Sequence, residues 1–163
     1  MSELDPAQQI ELQQAVTKQS KQFSIEPNKD ILLIDLFGTW NEDTTLEFIA
    51  EYKRLANRYF TREWACVFNL QGLEMLLSES FQIETFRALN AWSYIKGMKS
   101  VSVIISSKNR SHLLYQFEEI FKVNHPYSTA VCHSAIDACH WLRDQGFNQK
   151  LFESSPNNLA FAV

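Results

Sequence analysis

The chain has 163 residues and a mass of 19.0 kDa, which suits one domain with a real core. Apolar residues make up 45% of it and charged residues 21%, ordinary globular usage that excludes a fully disordered, collagen-like or polyelectrolyte chain. Fifteen Lys and Arg against nineteen Asp and Glu give a formal charge of -4, which argues against a nucleic-acid partner, whose phosphates need neutralising cations. The four glycines form no Gly-x-Gly-x-x-Gly fingerprint and no phosphate loop ending in Gly-Lys-Ser/Thr, so ordinary nucleotide folds lose their best support.

The elements are expected in the following order. Residues 1–21 form an N-terminal appendage, in which Asp5, Pro6 and Gln8 start a weak helix. Phe23 and Ile25 alternate with polar neighbours, Pro27 to Asp30 punctuate, and Ile31 to Phe37 run almost continuously apolar, so a hairpin is expected, ended by Gly38. Asn41 or Asp43 caps a first helix with Phe48, Ile49, Tyr52, Leu55, Ala56 and Tyr59 facing inward. Trp64 to Leu70 is a short strand, and a loop containing Gly72 leads to a helix from about Phe81 to Lys96, stopped by Gly97. Val101 to Ile105 is the next strand, and Asn109 or Ser111 caps a helix carrying Leu113, Leu114, Phe117, Ile120 and Phe121. Ser128 to Cys132 is the last strand. Ser134, with Asp137 three residues on, opens a helix whose inward face is Ala135, Ala138, Cys139 and Leu142, closed by Gly146. Residues 148–163 read as a flexible C-terminal tail with an apolar end, Leu159 to Val163. The alternation specifies an α/β fold over 22–147, with a mostly parallel, mixed five-stranded sheet that begins in an antiparallel hairpin.

Met1 to Pro6 carry no basic start of an export signal, and no apolar run approaches the roughly 18 residues of a membrane span. A cytoplasmic protein without a transmembrane segment is expected. Cys66, Cys132 and Cys139 are then reduced thiols, since an odd number without export argues against a disulfide framework.

The order of elements from Phe23 to Phe147 resembles the STAS family, the anti-sigma-factor-antagonist-like domains of bacterial regulators and anion transporters. Locally, Asn69-Leu70-Gln71-Gly72-Leu73-Glu74-Met75-Leu76-Leu77-Ser78 lies where that family has an Asp-Leu-Ser-Gly strand end and then an Asp-Ser pair before a helix. Ser78 falls on the family's phosphoacceptor, whereas Asn69, Leu77 and Ser80 replace its first Asp, second Asp and glycine. Ile136 to Leu142 is similar to the ending of the divergent STAS/SEC14-like branch. The resemblance implies a non-enzymatic regulatory or protein-interaction domain of the antagonist type, with a small-molecule or lipid-binding carrier of SEC14-like type as the alternative.

Loops after the ends of parallel strands gather at one edge, which is expected to join Asn69 to Ser80, Ser106 to Ser111 and His133 to Ser134. Lys108 and Arg110 before a helix N-terminus make that edge, with Asn69, a candidate anion or partner surface. The plainer reading is that the Ser and Asn side chains cap the helix while both cations are solvated. Ser78 likewise divides between phosphoacceptor and helix cap, the cap being favoured because the acidic neighbour is missing.

No metal site is expected. Cys132 and His133 point to opposite faces of a strand, and His140 is turned about 100° from Cys139 on its helix. No His pairs with a nucleophile motif such as Gly-x-Ser-x-Gly, and Glu42-Asp43 and Glu118-Glu119 read as solvated or dipole-facing acids, so neither catalytic residues nor a cofactor are expected. Trp40, Trp92, Tyr94, Tyr115 and Trp141 divide evenly between core filling and a partner or homodimer surface.

Overall fold

A computed structural model describes residues 5–7, 22–106, 110–120 and 126–147. The helix expected in 1–21, apart from residues 5–7, and the tail expected over 148–163 lie outside the described residues, as do Asn109 and Phe121. The elements are β1 (Phe23–Asn28), β2 (Ile31–Trp40), α1 (Glu42–Tyr59), β3 (Trp64–Leu76), α2 (Glu79–Ile95), β4 (Met98–Ile104), α3 (Arg110–Ile120), β5 (Ser128–Cys132) and α4 (Ala135–Asp144).

The five strands stand in the order β1-β2-β3-β4-β5. β1 and β2 form the antiparallel hairpin, and the pairs β2–β3, β3–β4 and β4–β5 are parallel. The period of two along each strand sorts side chains onto two faces. Leu32, Ile34, Leu36, Cys66, Phe68, Val101 and Val103 face the larger core with Phe48 and Tyr52 of α1, Phe86 and Leu89 of α2, and Leu113 and Phe117 of α3. Ile31, Leu33, Ala65, Val67, Ile104 and Cys132 face a smaller core closed by Ala135, Ala138 and Leu142 of α4.

The larger core is built on rings. Phe23 and Trp40 each meet Phe48 nearly edge-on at 5.4 Å, and Phe48 leads on to Phe86 at 5.9 Å. Such pairs add about 0.5–1.5 kcal/mol each beyond their buried area. Trp40 is therefore core, its indole Nε1 donating to the Phe37 carbonyl at 2.8 Å, whereas Tyr115 is 57% exposed. Trp92, Tyr94 and Trp141 lie between, half-buried. Tyr52 is fully buried, with its hydroxyl 2.7 Å from Ser93 Oγ and 3.2 Å from Cys66 Sγ, so this buried hydroxyl is satisfied.

Two expected strand ends are corrected. β2 does not stop at Gly38 but runs to Trp40, and β3 does not stop at Leu70 but runs to Leu76. Gly38 takes a positive φ of 69°, and the register shifts between Gly38 and Thr39, so this glycine bends the strand without ending it. Gly72 lies within the paired strand, where a Cβ would stand 2.8 Å from Phe37 Cδ1 and 3.3 Å from the Leu36 carbonyl oxygen, so a larger residue would require the half-exposed Phe37 ring to move. Tyr59, expected inward, is 50% exposed in the last turn of α1. The second helix opens two residues earlier than expected, at Glu79.

Candidate functional site

The extension of β2 and β3 beyond Asp35 and Asn69 carries Ser78 to the place where α1 and α2 begin. Register pairs run from Asp35–Asn69 through Phe37–Gly72 and Thr39–Met75 to Trp40–Leu76. Leu77 N–H then donates to the Trp40 carbonyl at 2.9 Å, which ties the entry of α2 to the entry of α1. Asn41 caps α1, its Oδ1 accepting from Thr44 N–H at 2.9 Å.

Ser78 occupies the N-cap position of α2, but its side chain makes no capping hydrogen bond, contrary to the expected role of its hydroxyl. Gln82 does the work instead. Its Oε1 accepts from Ser78 N–H at 2.9 Å, and its Nε2 donates to the Trp40 carbonyl at 2.9 Å and to Thr45 Oγ1 at 3.0 Å. Gln82 is fully buried, so this one amide joins β2, α1 and α2 beneath the surface that Ser78 shares. Ser78 itself is half-buried and Ser80 is exposed. Beside them in the chain Met75 is 45% and Leu77 58% exposed, and near the start of α1 Leu46 is 53% exposed.

Asn69 is placed otherwise than Ser78. It aligns with Ile104 of β4, which in turn aligns with Cys132 of β5, so Asn69, midway along β3, stands level with the ends of β4 and β5. A paired stretch of strand separates Asn69 from Ser78, which corrects the expectation of one continuous loop from Asn69 to Ser80. Asn69 Nδ2 donates to Asp35 Oδ1 at 2.8 Å, and Asn69 Oδ1 accepts from Gln71 N–H at 3.1 Å. The amide is thus held against a carboxylate. Burial lifts the Asp35 carboxyl above its ordinary range, while the bonds from Asn69 and Ser24 act in the opposite direction. Lys108 lies outside the described residues; Arg110 opens α3, and its side chain is likewise not described.

The remaining polar candidates are dispersed. Ser134 caps α4 as expected, its Oγ accepting from Asp137 N–H at 3.1 Å. Cys132 is buried 3.3 Å from Ser102 Oγ, whereas His133 and His140 are exposed. Burial pushes the Cys66 thiol up to about 12. Between α3 and the β5 edge, Val103, Leu114, Phe117, Thr129 and Val131 line a shallow apolar groove of about 90 Å³, well below the roughly 300 Å³ at which small-molecule sites begin.

Sequence reasoning did not find Gln82 or the exposed trio of Leu46, Met75 and Leu77. A signal for Gln82 existed, since it falls on the same helical stripe as Phe86, Leu89 and Ser93, where a polar residue must find partners. The trio carries no such signal, because exposed and buried leucines look alike until the bend of β2 and β3 is known.

No family model and no curated protein matches the chain. Solved structures do. The anti-sigma factor antagonist SpoIIAA in its unphosphorylated form is 14% identical, with a TM-score of 0.51, and the match covers 74% of this chain and 97% of that one. An uncharacterized DUF3478-family protein with a SpoIIAA-like fold, from Shewanella loihica PV-4, is 15% identical with a TM-score of 0.51, over 74% of this chain and 91% of that one. With its antiparallel hairpin, its parallel strands added in sequence order and its helix layers on both faces, the chain has the STAS-like fold of SpoIIAA.

Proposed function

We propose that the chain is a non-enzymatic regulatory or protein-interaction domain that binds another protein through the surface around Ser78. One observation carries this reading: Met75 and Leu77, both about half exposed, stand immediately before a serine whose side chain makes no capping bond. Apolar side chains held out from a pinned backbone favour association by removing area from water. The fold is shared with a protein described as an anti-sigma factor antagonist, which agrees in kind. Ser78 is the position at which added negative charge would switch the surface, as a phosphate does by charge and desolvation.

The test is a pull-down of tagged full-length chain from its own host's lysate, comparing wild type with Ser78→Asp and Ser78→Ala. A specific protein retained by wild type and Ser78→Ala but lost from Ser78→Asp is the expected result. Equal retention by all three removes Ser78 from the interface, and no retention by any of them removes the binding reading.

A further inference from the structure

Along the described segments that carry Leu46, Met75 and Leu77, the charged residues are of one sign. Residues 30–52, which hold the extended part of β2 and the first half of α1, contain no Lys, Arg or His; nor do residues 63–86, which hold β3 and the start of α2. The acids Glu42, Asp43 and Glu47 are exposed on α1, and Glu74 and Glu79 are exposed on either side of Met75 and Leu77. Thr39–Met75 pairing and the Gln82 bonds to Trp40 and Thr45 hold these segments side by side.

Leu46 belongs to the same surface by helical spacing. Lys53 of α1 lies over the Trp92 ring of α2 at 5.3 Å, which marks the side of α1 that looks toward α2. Leu46 is seven residues before Lys53, two turns back on that side, and so it flanks the start of α2. The helix dipole accounts for Glu42, Asp43 and Glu79, which lie in first turns. It does not account for Glu74, which lies in β3; Glu47 is turned about 100° from Leu46, away from the side of α1 that looks toward α2, and is not part of this surface.

We infer that the partner of this surface is a basic amphipathic segment of another protein, which sets apolar side chains against Leu46, Met75 and Leu77 and Lys or Arg opposite Glu42, Glu74 and Glu79. This rests on the reading of the Ser78 surface given above and names the chemistry that fits it. An apolar centre with a charged rim is the usual plan of a specific interface, and rim charges of one sign select a partner of the other. A phosphate added on Ser78 would lie among the apolar contacts rather than at the rim, and it is the cost of desolvating it there, against the attraction of its charge for a basic rim, that would release the partner.

The probe is a synthetic helical peptide of leucine and lysine, titrated against the full chain by fluorescence anisotropy, with the matching leucine and glutamate peptide as its opposite. Binding of the lysine peptide is expected to weaken about tenfold in Glu42→Gln/Glu74→Gln/Glu79→Gln, and by as much in Met75→Ser/Leu77→Ser. A remote control, Glu118→Gln/Asp137→Asn/Asp144→Asn, is expected to stay within about twofold of wild type. Equal weakening in the remote control, or equal binding of the glutamate peptide, overturns the inference. In the lysate pull-down the two readings separate. If the triple Gln variant keeps a protein that Ser78→Asp loses, the interaction surface stands and its basic partner falls.

Discussion

Burial raises the Asp35 carboxyl above its ordinary 3.8, while hydrogen bonds from Asn69 and Ser24 pull it down and the nearby Glu26 pushes it further up. Because the folded chain holds this proton more tightly than the unfolded chain, the group opposes stability as it ionises. Its contribution is most favourable below the unfolded value and falls as pH rises from there through the raised folded value, after which it is constant. Asp35→Asn keeps an acceptor for Asn69 and removes the charge. Unfolding midpoints in urea, measured from acid to neutral pH, should therefore lose a downward component in the variant relative to wild type. Parallel profiles for the two proteins would assign that component to other groups. At this scale the sequence was least legible. Asn69 reads as an edge residue, yet nothing in its neighbourhood along the chain shows that β2 brings Asp35 against it.

Helices and most strands were legible because their signals are local. Ser134 with Asp137, Asn41 with Thr44, and the alternation along β1 each lie within a few residues. The ends of β2 and β3 were not legible, because Gly38 and Gly72 read as terminators while their actual roles depend on residues elsewhere, the bend in one strand and the Phe37 ring beside the other. The element junction at Gln82 has a testable weight. Gln82→Leu keeps the volume and strands the Ser78 N–H and one bond each to Trp40 and Thr45. A loss of about 2 kcal/mol in urea unfolding is expected from such orphaned groups. A loss below about 0.5 kcal/mol would mean that water or a local shift replaces the amide. The same variant should loosen the entries of α1 and α2 together, visible as faster amide exchange at Thr44 and Thr45 as well as at Gln82.

For the whole molecule, Cys66 is a reporter. It sits fully buried on the central strand, between Tyr52 and Met98, and burial holds its thiol at about 12. Burial shields the thiol and disfavours its thiolate in the native state, so alkylation of Cys66 by iodoacetamide should follow global unfolding. Its rate should rise with urea in step with the far-UV signal, while the half-buried Cys139 reacts earlier. Labelling of Cys66 without urea at the rate of Cys139 would contradict the buried placement. The overall architecture was legible from the sequence because it is fixed by the order of elements and the handedness of crossovers, which depend on no single contact. The exposed trio near Ser78 depends on where a bent pair of strands points, which no pattern along the chain records.

The strand order has one more consequence. Each strand pairs with the strand that precedes it in the chain, from β1 to β5, so no strand has to be inserted between two already formed. During synthesis the hairpin can form as it leaves the ribosome, and each helix and strand that follows docks on an edge that already exists. Loop closures stay short at every step, which lowers the entropic barrier to assembly. While the chain is being made, its only growing edge is the one that the next segment is about to cover, which shortens the time for which a nascent strand is open to pairing with a neighbouring chain.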